Sequence, residues 1–254
     1  MRNFEKLSCV SVMIRLKKKP IGACSVIWRF VWPKRPDAFR RIKGLIRFRT
    51  PKLEAYAFVR SKEGPVMLQQ DLHIHTTYST NDSAVVPEQT VALVAAVKHA
   101  GIIGISDHFD SLVDGHFEEY EREIRQAGLK VGVEVDGHAW AAEAVNYIVD
   151  YYIFHCRDQD ADYHSLDRLL TSAKPVIVAH PNALGTNLNR VPSECLIEIN
   201  NRYIWRADWK QFYSPFKDHF KFVISSDAHQ PHWLSQSVAR YAAEQLGIQE
   251  HLVF

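Results

Sequence analysis

LQQDLHIH (68–75) carries a short apolar run into two histidines, and the chain repeats that design along its length. GIIGISDH (101–108), KVGVE (130–134), DYYIFH (150–155), PVIVAH (175–180) and FKFVISSDAH (220–229) each end a mostly β-branched or aromatic run in a histidine or a carboxylate. Parallel strands of an α/β barrel all point their C-terminal ends to one face. Strands that repeatedly end in a ligand therefore gather those ligands at one rim. Nine metal-capable side chains, most of them just after such a run, are His73, His75, Asp82, His108, Glu134, His155, His180, Asp227 and His229. Imidazole and carboxylate together suit zinc, manganese or iron.

Strands are predicted near 69–74, 102–106, 129–134, 150–154, 175–179, 195–199 and 221–225 from their length, bounding turn residues and β-branched or aromatic content. Helices are predicted between them. PEQTVALVAAVKHA (87–100) has Pro87 at its start and Gly101 past its end, and FEEYEREIRQAG (117–128) stops at Gly128. Further helices are expected near 139–147, 163–173, 207–218 and 235–246. Seven strands alternating with helices indicate parallel βαβ units. The roughly 190 residues after position 66 are few for an eight-fold barrel of about 250. A compact seven-stranded barrel fits the count, with an open doubly wound sheet as the alternative. The open sheet would scatter the ligands, because only loops beside one switch point share a crevice.

Charge divides the chain in two. Residues 1–66 hold 17 Lys+Arg against 4 Asp+Glu, while the remainder holds 14 against 25, and all 13 histidines lie after residue 66. The first part reads as a basic N-terminal extension without a fold signal. LSCVSVMI runs into RLKKKP where a signal peptide would carry small residues. GACSVIWRFVW is far short of the ~20 apolar residues of a membrane span, so no membrane insertion is expected. The break in charge and histidine content suggests that the globular domain covers 67–254, starting near Met67, with the upstream stretch poorly ordered or a gene-model artefact. Cys9, Cys24, Cys156 and Cys195 show no CxxC spacing. That argues against a disulfide framework and makes a reducing cytoplasm the expected compartment.

Residues two apart on a strand face the same side, so His73 and His75 can grip one cation together. Asp227 and His229 repeat that spacing. Glu134 is a candidate bridging carboxylate. Asp107, beside His108, is a candidate to orient a ligand histidine. Arg157, two residues past His155, is a candidate to bind phosphate through its fork of N–H donors; Arg190 and Arg202 are weaker ones. The aromatic group Tyr203, Trp205, Trp209, Phe212, Tyr213 and Phe216 either lines a pocket or packs a helix, and His232 is a minor pocket candidate.

DLHIHTTYS (71–79), SDH (106–108), AHP (179–181) and SDAH (226–229), with Glu134 and His155 between the second and third, resemble in order the motifs of the PHP family, named for polymerase and histidinol phosphatase. The resemblance covers about residues 68–247. HTTYSTND (75–82) is similar to the form in replicative polymerase subunits and places Asp82 as a ligand. EEYEREIRQAGLKVGVEVD (118–136) is closer to the histidinol-phosphatase and small stand-alone phosphatase branch. Ser106 departs from the more usual Thr but keeps the hydroxyl. The resemblance implies a distorted seven-stranded (β/α)7 barrel with two to three divalent metal ions at the C-terminal rim of its strands. The first site would use His73, His75, Glu134 and Asp227. The second would share Glu134 with His155 and His180, and the third would use Asp82, His108 and His229.

A phosphate ester is anionic and repels hydroxide. Divalent cations offset that charge and acidify water to a nucleophile near neutral pH, so no Ser or Cys nucleophile is needed. The expectation is a metal-dependent phosphomonoesterase acting on a small-molecule phosphate ester, with histidinol phosphate one plausible substrate. A nuclease aided by the basic arm is the second reading, and a catalytically silent metal-binding interaction module is the third. The acidic domain shows no basic groove signal, which disfavours nucleic acid as its partner. Oligomeric state is not legible.

Overall fold

The computed structural model describes residues 68–254 apart from Asp114, together with two strands nearer the start of the chain. The chain divides into two units, Met1–Arg60 and Ser61–Phe254. In the first, β1 (Ser8–Met13) and β2 (Ile27–Trp32) pair antiparallel from Ser8 opposite Trp32 to Met13 opposite Ile27. The sequence reading placed no element there. The apolar runs it weighed only as a signal peptide and a membrane span contain SCVSVM and IWRFVW, rich in residues that favour strands. The other expectations for residues 1–66, including a start near Met67, lie outside the described residues.

The second unit alternates strand and helix throughout. Its elements are β3 (Leu68–Asp71), α1 (Val91–Val97), β4 (Ala100–Ile105), α2 (Phe117–Gln126), β5 (Lys130–Val135), α3 (His138–Ala144) and β6 (Tyr151–Phe154). There follow α4 (Asp160–Leu170), β7 (Val176–Val178), α5 (Pro181–Leu184), β8 (Leu196–Asn200), α6 (Trp209–Tyr213), β9 (Lys221–Ser225) and α7 (Ser237–Leu246). The seven strands are parallel and lie in sequence order, β3 to β9. A doubly wound sheet would reverse direction at its middle, so the sequential order selects the (β/α)7 barrel.

Closure is made at a seam rather than by a full ladder. Past the strand ends, the Asp227 N–H donates to the His73 carbonyl and the His75 N–H to the Ala228 carbonyl, both at 2.9 Å. Asp71 Oδ1 accepts from the Ser226 N–H at 3.0 Å. Lower down, the Gln236 side-chain amide donates to the carbonyls of Gln70 (2.8 Å) and Ile224 (2.9 Å), replacing ladder bonds between β3 and β9. The seam bonds thus hold the segments that carry His73, His75, Asp227 and His229.

The barrel is filled from one position. Tyr151 lies across the interior with Leu72, Ile153, Ile177, Leu196 and Val223, and its hydroxyl donates to the Leu72 carbonyl at 2.6 Å. A Cβ at Gly104 or Gly132 would run into the Tyr151 ring, so these two strand glycines make room for it. Outside, α2 buries Phe117, Tyr120 and Ile124 at helical spacing, and the Tyr120 hydroxyl donates to the Gly132 carbonyl at 2.6 Å.

α5 (Pro181–Leu184) falls where no helix was expected, and two other helices differ in extent. The first, predicted over 87–100, occupies only Val91–Val97. Thr90 caps it by accepting from the Leu93 N–H at 3.2 Å, and Lys98 ends it with φ +46°. Residues before Thr90 belong instead to the loop that carries Asp82. The helix expected over 207–218 breaks into α6 and a 3-10 turn, Ser214–Phe216, where Pro215 has no N–H to continue the helix.

Candidate metal centre

Every barrel strand delivers side chains to one cleft at its C-terminal end. His73 and His75 follow β3, His108 follows β4, Glu134 lies in β5, His155 follows β6, His180 follows β7, Glu198 and Asn200 lie in β8, and Asp227 and His229 follow β9. Asp82 reaches in from the loop after β3. All nine sequence-selected ligands are brought together.

Glu134 is the centre of the arrangement. Its Oε1 lies 3.0 Å from His73 Nε2, 2.6 Å from His155 Nε2 and 3.7 Å from His180 Nε2. Its Oε2 lies 3.3 Å from His75 Nε2 and 3.1 Å from His108 Nδ1. Five imidazoles thus converge on one buried carboxylate. Three donor groups result: His73, His75 and Glu134; Glu134, His155 and His180; and His75, His108 and His229. Asp227 Oδ1 adjoins the first, 3.7 Å from His75 Nε2. Asp82 Oδ2 adjoins the third, 2.8 Å from His229 Nε2 and 3.4 Å from His108 Nε2. His75 stands in both of those groups, a link that spacing in the sequence does not give.

The donors fit cations better than they fit one another. His73 and His75 face each other nitrogen to nitrogen at 3.1 Å, and His155 and His180 do so at 3.0 Å. Glu134 Oε1 is buried without a hydrogen-bond partner despite the imidazoles around it. Ligands about 2.0–2.2 Å from a shared ion stand roughly 3 Å apart, which is the spacing of these pairs. Buried histidines and Glu134 can therefore hold metal ions here.

The backbone is shaped to the task. His180 (φ +26°) and Asp227 (φ +54°) both occupy left-handed conformations without being glycine. Such residues cost roughly 1–3 kcal/mol each and persist where surroundings over-determine them. The His180 N–H donates to Glu198 Oε2 at 2.7 Å, and the Asp227 N–H is spent on the barrel seam.

Glu198 is the main residue that sequence reasoning missed. It is fully buried, holds His73 Nδ1 at 2.8 Å, and accepts from Asn200 Nδ2 at 2.9 Å. Asn200 Nδ2 also donates to Asp227 Oδ2 at 3.0 Å. A carboxylate fixing the far nitrogen of a ligand histidine sets its tautomer and raises its basicity. The available signal was LIEIN (196–200), where an acid and an amide two apart share one side of an otherwise apolar strand.

Asp107 acts one step away from the ligands. It is fully buried, takes the Thr76 N–H and the Ser79 hydroxyl on Oδ1 at 2.6 Å each, and takes the Thr76 hydroxyl on Oδ2 at 2.6 Å. Ser79 Oγ in turn stands 3.1 Å from His75 Nδ1. Burial lifts the Asp107 carboxyl to about 6 against these hydrogen bonds. Asp107 thus reaches the candidate ligand His75 through Ser79 and makes no hydrogen bond to it directly.

Proton affinities around Glu134 are driven apart. Burial and then His229 hold His75 well below the usual imidazole range. Burial also disfavours charged His155, but Glu134 and Asp136 outweigh it and lift it to about 9. For His73, burial is outweighed by Glu198, Glu134 and Asp227, which raise it well above the usual range. Burial would raise Glu198, yet His73 beside it brings it down to about 2. The protons held by His73 and His155 are what a cation would displace on binding.

Above the ligands is a cavity of about 380 Å³, lined by most of the nine and by Arg157, Arg202, Arg206 and Tyr203. Its size falls within the range of small-molecule sites. Arg202 Nη1 lies 3.0 Å from His229 Nε2 and 3.5 Å from Asp227 Oδ1. Arg157 reaches the lip, paired with Asp136 at 2.7 Å. Asp136 also meets His155 Nδ1 at 3.1 Å, and both Asp136 and Arg206 escaped the sequence reading. Arg190 does not line the cavity; it pairs with Asp158 and Asp160 over the Tyr163 ring. Cys156 is a buried core residue whose thiol burial pushes up to about 12, not a lining group. The aromatic group divides: Tyr203 lines the cavity, Trp205 is exposed, and Trp209, Phe212, Tyr213 and Phe216 pack with the core.

No protein-family model matches the chain, and no curated protein matches it. Among solved structures it is similar to a truncated form of 3-deoxy-D-arabino-heptulosonate 7-phosphate synthase from Thermotoga maritima, at 13% identity and a TM-score of 0.40, over 70% of this chain and 72% of that chain. Among the described residues, no helix is long and apolar enough to cross a membrane.

Proposed function

We propose that this chain is a PHP-type, metal-dependent phosphoesterase that hydrolyses the monoester of a small phosphorylated metabolite. The observation that carries this reading is the convergence of five imidazoles on Glu134 beneath a cavity lined by three arginines. Two or three divalent ions of zinc, manganese or iron bound there supply Lewis-acid charge that acidifies water and offsets the phosphate anion.

The remaining work falls to the chain's own groups. His73, His75, Glu134 and Asp227 would hold one ion, Glu134, His155 and His180 the next, and His75, Asp82, His108 and His229 the third. Arg202, with Arg206 and Arg157 above it, presents planar N–H forks to the phosphoryl oxygens. A water oxygen bonds to phosphorus, the ester P–O bond breaks, and the alcohol leaves with a proton from that water. The concave, compact cavity suits a small ester better than a polymer strand.

The test is a screen of phosphate monoesters, histidinol phosphate among them, on the full chain reconstituted with zinc, manganese or iron. Release of inorganic phosphate that a chelator stops, and that added metal restores, is the expected result. A folded, metal-loaded chain that releases none from any monoester refutes the proposal.

A further inference from the structure

A second cavity, of about 290 Å³, adjoins the first and shares Arg202 with it. Its walls include Trp205, Trp233, His232, Asn201 and Ser235. Arg202 is the partition: its Nη1 touches His229 on the metal side, while its guanidinium carbon stands 5.2 Å from the Trp233 ring centre. Trp233 is itself only 6.1 Å, centre to centre, from the His229 ring. Both tryptophans sit on short 3-10 turns, Ile204–Arg206 and Pro231–Trp233, which hold their backbones in place.

Trp205 is 68% exposed. Among the described residues its one ring partner is the Arg206 guanidinium, 5.7 Å from the ring centre, and it shares the cavity wall with Trp233, so a large flat apolar face stands open to water at the cavity. Polar edges surround it. Asn201 spends its side-chain oxygen on the N–H groups of Val238 and Ala239 at 2.9 and 3.1 Å, which leaves its amide nitrogen as a donor. Flat faces with a few polar edge groups are the recognition chemistry of a planar heteroaromatic ring.

The geometry points to a leaving-group site: the second cavity takes a planar heteroaromatic ring in the alcohol part of the ester, while Arg202 holds the phosphoryl group next door. This rests on the phosphoesterase reading and narrows its substrate class to monoesters that carry such a ring, nucleoside monophosphates being the natural probe.

Two measurements on the full chain separate the ideas. The first compares kcat/KM for adenosine 5′-monophosphate with that for glycerol phosphate in the wild type and in Trp205→Ala, whose exposed position spares the fold. The ratio is expected to favour the nucleotide and to fall about fivefold or more in the variant, the lower end of what one base–aromatic stack contributes. A ratio unchanged within about twofold overturns the proposal. The second reads saturation-transfer NMR from the metal-free chain to adenosine, which carries no phosphate. Transfer to the base protons that drops in Trp205→Ala supports the ring site, and absence of transfer overturns it. Adenosine binding through Trp205 without hydrolysis of any monoester supports the ring site and overturns the phosphoesterase reading alone.

Discussion

The floor and the rim of the cleft are built on different terms. On the floor, His73, Glu134, Glu198 and Asp227 are each at most 2% exposed, and every one is held by another ionisable or amide group. At the rim, the Arg157 side chain is 42% exposed and Trp205 68%, and their partners are few or solvated. Buried charges are tolerated only when paired or bound to a cation, so each floor residue constrains its neighbours. Rim residues answer to whatever enters. Under the proposed function, the floor would set the chemistry and the rim the substrate.

Breaking the floor at its centre gives the largest expected effect. Glu134→Ala removes the carboxylate that faces five imidazoles, and phosphate release is expected to fall by about three orders of magnitude, the upper range for losing one preorganised electrostatic group. Steady-state kinetics on the folded variant checks it; activity within tenfold of wild type would place the chemistry elsewhere.

Glu198→Gln probes the support beneath the ligands. Cation affinity is expected to fall about 10–100-fold, as when other carboxylates behind ligand histidines are lost, read by competition with a chromogenic chelator. The same residue predicts an acid limb in the metal-free protein. The Glu198 carboxyl is brought from its ordinary 4.5 down to about 2, so its contribution is complete above pH 4.5 and is lost as pH falls toward 2. Its partner His73 is raised, so that contribution is complete below pH 6.5 and is lost only as pH climbs through the raised value. Urea midpoints of the metal-free wild type should thus hold up between pH 4.5 and 6.5 and decline below, and Glu198→Gln should flatten the acid decline.

Beneath the floor, Gly132→Ala drives a methyl into the Tyr151 ring and is expected to destabilise the barrel by about 1–3 kcal/mol, measured by denaturant unfolding. At the rim the effects are smaller and graded by burial. Arg202→Ala is expected to cost about tenfold in kcat/KM, the low end for one charge-assisted contact. Arg157→Ala should cost only a few-fold, because its guanidinium is half exposed and already paired with Asp136. Equal losses at the two arginines would erase the distinction between the inner and outer rim.

The same division explains what the sequence made legible. Strand-end candidates are visible because a short apolar run and a histidine or acid are adjacent in the chain, so seven strands and eight of the nine candidate ligands could be read without contacts, while Asp82, on the loop after β3, was placed by the resemblance alone. Glu198 was invisible as a partner because its role depends on His73, 125 residues away. Gly104 and Gly132 look like weak strand residues until Tyr151 is known to cross the barrel. The first helix was drawn too long because Pro87 is a fair start signal, while the loop before Thr90 is held by a tertiary bond from the Val86 N–H to the His229 carbonyl. Trp205 read only as one of an aromatic group that lines a pocket or packs a helix, and Trp233 was not singled out, because only folding brings the two to one cavity beside Arg202.

The most direct test of the central claim is the number of divalent ions per folded full-length chain, measured by inductively coupled plasma mass spectrometry after reconstitution with zinc, manganese or iron. Two or three ions per chain in the wild type, with at least one lost in Glu134→Ala, is the expected result. A folded wild-type chain that retains less than one ion of any of these metals would contradict it.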